Sequence, residues 1–66
     1  MVDIFAVKSV LGKRVNIHLV DGSVIVNVKA EEINRNNEKY LVYSYGDKKN
    51  RINIKRIALF KVIPEW

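Results

Sequence analysis

Three kinds of side chain in this 66-residue sequence have the chemistry for catalysis or recognition: one histidine, two adjacent acids and an excess of cations. His18 lies in the run "VNIHL", and the chain has no cysteine and no second histidine. Neither a thiol nucleophile nor a structural zinc site can be assembled from that set. The neighbouring residues supply no acid to orient the imidazole, so His18 reads as a surface or interface residue. Glu31 and Glu32 are consecutive, and on an extended segment they point to opposite faces, which denies them a paired acid–base role. No Gly-rich phosphate loop is present. The chain is therefore expected to be no enzyme, with no cofactor and no metal.

Charge remains. Twelve Lys and Arg against seven Asp and Glu give a net charge of +5, which favours polyanions such as nucleic acid or an anionic membrane surface. No apolar run approaches the ~20 residues of a membrane span. The start "MVDIFAVKSVLGKR" carries an acid at Asp3 and lacks the basic region of a secretory signal. A cytoplasmic location and no membrane partner are expected.

The elements that must position these residues are strands. "KRVNIHLVDGSVIVNVKA", Lys13 to Ala30, alternates apolar and polar residues around Asp21-Gly22, the dipeptide favoured in a two-residue type I′ turn. That turn sets Leu19 opposite Val24, Ile17 opposite Val26 and Val15 opposite Val28. It predicts one apolar face, with Asn16, His18, Ile25, Asn27 and Lys29 on the other. Ahead of the hairpin, Asp3 caps a short helix through "IFAVKSVL" whose Ile4, Val7 and Leu11 share a face, and Gly12 stops it.

After Ala30, "EEINRNNEK" loses the alternation and reads as a loop. "YLVYSY" is a third strand, "GDKK" a turn, "NRINIK" a fourth strand and "RIALFKVI" a fifth, ended by Pro64. The fold class predicted is all-β: one domain over residues 1–66, a short N-terminal helix followed by a five-stranded, strongly bent antiparallel sheet or small barrel. A chain this short buries only about 60% of its unfolded surface. Without disulfides or metal, oligomerisation is the common way to supply the missing core.

The helix, the hairpin and the final strands together resemble the Sm-like family, the Lsm/Hfq superfamily. "DIFAVKSVLGKRVNIHLVDGS" is similar to its first motif, in which alternating apolar residues precede an Asp-Gly or Asn-Gly turn. "INIKRIALFKVIP" is similar to the second, and its closing "ALFKVIP" resembles the end of the bacterial Hfq barrel. The resemblance spans nearly the whole chain. It implies an SH3-like barrel whose fifth strand pairs with a neighbour's fourth strand, closing a ring of six or seven copies that binds single-stranded RNA at its pore as a chaperone or scaffold.

The same resemblance selects the site residues. In archaeal and eukaryotic members the loop after the second strand carries an acid, a stacking residue and an asparagine that reads uracil. Those places fall on Glu32, Asn34 and Asn36, or on Ile33, Arg35 and Asn37 if the hairpin turn is one residue longer. The family's Arg-Gly pair falls on Lys55 and Arg56, and the Lys-His pair of Hfq falls on Arg56 and Ile57. The positive charge is kept, while the glycine and the histidine are not, which implies phosphate contact in place of a base-specific pocket.

The RNA-binding set is therefore Asn34, Arg35, Asn36, Asn37, Lys55 and Arg56. Guanidinium planes serve phosphate and stacking, and the amides serve base edges. The resemblance implies that Lys48, Lys49 and Arg51 in "DKKNR" lie on the opposite side of the barrel from the pore loops, as an exposed turn or a secondary basic surface. Asparagines in loops also serve to adopt turn conformations. Tyr43 and Tyr45 share a strand side, suited to packing in the core or at a subunit seam and also to stacking. Two rival readings come from other classes: a structural or protein-interaction barrel that has lost the RNA site, and a basic barrel that binds duplex DNA.

Overall fold

The computed structural model describes residues 2–34 and 39–64. It comprises a short helix α1 (Ile4–Ser9) and strands β1 (Arg14–Leu19), β2 (Val24–Ile33), β3 (Tyr40–Tyr45), β4 (Lys48–Asn53) and β5 (Ile57–Val62), with a 3-10 turn, Ile54–Arg56, between the last two. Asp3 caps α1, its Oδ1 accepting the Ala6 N–H at 2.9 Å. The helix buries Val7 and is followed by buried Val10, and Gly12 at φ +83 carries the chain out of it. An L residue other than glycine adopts that backbone rarely.

The strands form one antiparallel sheet in the order β4-β3-β2-β1-β5. The inner face is apolar: Val15, Ile17 and Leu19 of β1 meet Val28, Ala30, Leu41, Ile52 and Ile57, α1 adds Val7, and Val10 just after it completes the cover. Three register shifts, between Val15 and Ile17, His18 and Leu19, and Ala30 and Glu32, supply bulges that increase local twist and bend.

Connectivity forces the curvature. β4 and β5 are separated by three residues, yet they occupy opposite edges of a sheet that would be ~19 Å wide if flat. Four Cα steps from Asn53 to Ile57 reach at most ~15 Å. The sheet must therefore curl, and two backbone bonds mark where its ends approach: Val20 N–H to the Arg56 carbonyl and Ile54 N–H to the Lys39 carbonyl, each 2.9 Å. It does not close. Among the described residues β4 pairs only with β3 and β5 only with β1, so both remain edges.

The hairpin turn differs from the predicted type I′. The Leu19 carbonyl accepts from Gly22 N–H at 3.1 Å and Leu19 N–H donates to the Ser23 carbonyl at 2.9 Å, enclosing a three-residue loop, Val20-Asp21-Gly22. Gly22 alone is left-handed, at φ +92, as in a type I turn followed by a glycine bulge. The cause is Asp21. Its Oδ1 accepts the Ser23 N–H at 2.9 Å and the Ser23 hydroxyl, a local bond that favours ordinary backbone at Asp21 over the positive φ of a type I′ turn.

The extra residue moves the register by one. Ile17 now faces Ile25 and His18 faces Val24, and a bulge at Asn27, φ +57, restores the predicted Val15–Val28 pair. Val24 and Val26, predicted for the core, are consequently exposed at 41% and 59%, and Ile25 packs inward instead.

Candidate nucleic-acid interface

The 3-10 turn is anchored by one side chain and presents two. Ile54 is buried, whereas Lys55 and Arg56 are exposed. Asn53 caps the turn, its Oδ1 accepting the Lys55 N–H at 2.9 Å. The Ile54–Lys39 bond fastens the turn to the base of the β2–β3 loop, where Asn34 N–H also donates to the Tyr40 carbonyl at 3.0 Å. Lys55, Arg56 and Lys39 therefore share one end of the molecule with Asn34. The remaining predicted loop residues, Arg35, Asn36 and Asn37, lie outside the described residues.

Two clefts open beside this junction. One, of about 350 Å³, is lined by Glu32, Ile33, Asn34, Tyr40, Val42 and Arg51. The other, of about 440 Å³, includes Lys39, Tyr40, Asn53, Ile54 and Lys55 along with Val2, Asp3 and Ile4. Tyr40 lines both, and the Arg51 guanidinium carbon stands 5.5 Å from its ring centre, within cation–π range. The aromatic at the junction is thus Tyr40. Tyr43 packs against the core, and Tyr45 lies 60% exposed at the far turn. In the sequence Tyr40 sits at strand spacing with Tyr43 and Tyr45 but on the other side of the strand from both, and its place at the loop's end is the signal that marks it.

The predicted secondary surface is divided. Lys48 and Lys49 lie at the β3–β4 turn, opposite Tyr45 and Ser44, while Arg51 sits opposite Val42 and reaches over Tyr40. Arg51 therefore belongs with the loop end of the sheet, contrary to its predicted position on the far side.

A further correction concerns the acids. The register shift between Ala30 and Glu32 makes Glu31 the extra residue of a bulge. Glu32 stands opposite outward Val42, and the Glu31 carboxylate accepts the hydroxyl of outward Ser44 at 2.6 Å. Both carboxylates face outward, where alternation had sent them to opposite faces. The Ser44 hydroxyl holds the Glu31 carboxyl below its ordinary range, with Lys29 and Lys49 adding to the effect and partial desolvation opposing it. At the other turn the Asp21 carboxyl is lowered chiefly by the Ser23 hydroxyl and N–H, and Arg56 contributes a smaller charge effect.

His18 is flanked across the strands by Val24 and Leu59. Among the described residues no polar or charged side chain is buried, and no group of three or more His, Asp or Glu side chains is placed to hold a metal ion. No helix among them is long and apolar enough to cross a membrane. Compared with known proteins, the chain matches no family model, no curated protein and no solved structure.

Proposed function

We propose that this chain is a Sm-like module that assembles edge to edge into a ring of six or seven copies in the cytoplasm. It binds single-stranded RNA where the 3-10 turn meets the β2–β3 loop, and serves as an RNA chaperone or scaffold. The observation that carries the reading is a coincidence of two features. The turn bearing Lys55 and Arg56 is bonded to Lys39 at the base of the loop, and the strands left unpaired at the sheet edges are β4 and β5, the two that ring closure would join.

Free edges are a liability that pairing with a neighbour removes, and a β5 edge bearing Leu59 and Val62, 46% and 50% exposed, gains apolar burial by it. Repetition around a ring turns a weak phosphate contact into avidity. Lys55 supplies a point charge and Arg56 a planar donor fork, so the contact is expected to read backbone and stacking more than base identity.

Replacing Lys55 and Arg56 together by Ala tests the reading. Affinity for a short single-stranded oligonucleotide is expected to be lost while the oligomer persists; unchanged affinity contradicts the assignment. One observation favours the rival protein-interaction reading: Val24, Val26 and Leu59 form exposed apolar surface on the outer face, which suits a protein partner better than phosphate.

A further inference from the structure

The antiparallel register places a row of cations across the outer face at the end of the sheet away from the 3-10 turn. Arg14 stands opposite Lys29, Lys29 opposite Ser44, and Ser44 opposite Lys49. Residues directly opposite share a face, and these alternate with buried Val15, Val28 and Ala30, so all four point outward. Lys61 of β5 lies opposite Asn16, two residues along β1 from Arg14, and so faces outward from the adjacent row.

The Asn27 bulge ties these residues together. Asn16 Oδ1 accepts the Asn27 N–H at 2.8 Å, and Arg14 Nη1 donates to the Asn27 carbonyl and side-chain oxygen at 3.2 and 3.3 Å. The acid placed in the row is Glu31, already engaged by Ser44. Three cations of the row, Arg14, Lys29 and Lys49, thus face one carboxylate, an excess of two charges, and Lys61 adds a further cation from the adjacent row. In the next row toward the loop Glu32 and Arg51 flank Val42 and balance one another.

Like charges directly opposite on adjacent strands destabilise a sheet, and Arg14 and Lys29 are such a pair. A polyanion laid across the row relieves that repulsion. The geometry points to this band as a second nucleic-acid surface, one that contacts the phosphodiester backbone and is separate from the site at Lys55 and Arg56. Lys29 and Lys49 lie two strand spacings apart, roughly 10 Å, and Ser44 lies about 13 Å along β3 from Tyr40. The row is an open line of charges with amides between them, the composition of a backbone contact, which positions a strand without reading its sequence.

The full chain carrying K29Q, K49Q and K61Q together is the test, with Arg14 left in place because it braces the bulge. Binding is followed by fluorescence anisotropy over a range of salt, using a 6-nucleotide single strand, a 20-nucleotide single strand and a 20-base-pair duplex. The 20-mers are expected to bind roughly tenfold or more weakly, and the single-strand salt slope to fall by about 2, since each phosphate contact contributes about 0.7. Binding of the 6-mer is expected to be unchanged. Whichever 20-mer loses more identifies the source of the phosphates. Unchanged affinity and slope for both overturn the proposal.

K55A/R56A separates this proposal from the preceding one. If that variant binds all three probes normally while the triple variant does not, the site at the 3-10 turn falls and the band stands. The triple variant, in which K29Q removes one member of the opposed pair, is expected to melt no lower than the parent chain, which separates weaker binding from a folding defect.

Discussion

Ile54 donates its backbone N–H to the Lys39 carbonyl at 2.9 Å, joining two segments fifteen positions apart. Through this bond the last turn before β5 and the base of the β2–β3 loop become one end of the sheet. Lys55 and Arg56 owe their position to it and to the buried Ile54 side chain.

Asn53 holds the other half of that turn, with its side chain on the Lys55 N–H. Asn53→Ala removes a cap worth about 1 kcal/mol. Urea unfolding should register that loss. Oligonucleotide affinity should also fall, because Lys55 loses its fixed place; an unaltered unfolding midpoint would show the cap to be inert.

Gly22 is the residue that lets a three-residue loop close the first hairpin. At φ +92 a Cβ meets no neighbouring atom, so the penalty in Gly22→Ala is conformational rather than steric contact with the rest of the fold. About 1 kcal/mol of destabilisation is expected. A substitution that leaves the melting temperature untouched would argue against the left-handed turn.

Glu31 ties acid stability to Ser44. Because its folded pKa is depressed below the ordinary value of 4.5, its bond contributes stability above that value and loses it as pH falls through the lower folded value. The gap in melting temperature between the parent chain and Ser44→Ala should therefore be present at pH 7 and shrink below about pH 4. A gap that stays constant from pH 7 to pH 3 would mean that Ser44 acts by packing alone.

The element order is written in the alternation of apolar residues: "YLVYSY" is β3 without adjustment, and Asp3 and Gly12 bracket the helix as their chemistry requires. What alternation could not carry was the three register shifts. A bulge adds one residue without any change in composition, so Val24 and Val26 keep the look of core residues while lying outside, and Glu31 and Glu32 keep the look of a divided pair while sharing a face. The cation row depends on the same register. Arg14, Lys29 and Lys49 are widely spaced in sequence, and only the pairing of four strands brings them into line.

Of the charged residues singled out in the sequence, Lys55 and Arg56 stand exposed on the short turn between β4 and β5, whereas Arg51 left the cluster "DKKNR" for Tyr40. Lys49 and Arg51 share the outer face but stand two residues apart along β4, and Lys48 points to the other face, so a run of charge in sequence is not one patch in space.

The mass of the native protein, measured by native mass spectrometry at low micromolar concentration without added nucleic acid, tests the central claim most directly. The account predicts a closed hexamer or heptamer formed through the free edges β4 and β5. A monomer or dimer would contradict it and remove the pore at which Lys55 and Arg56 are proposed to act.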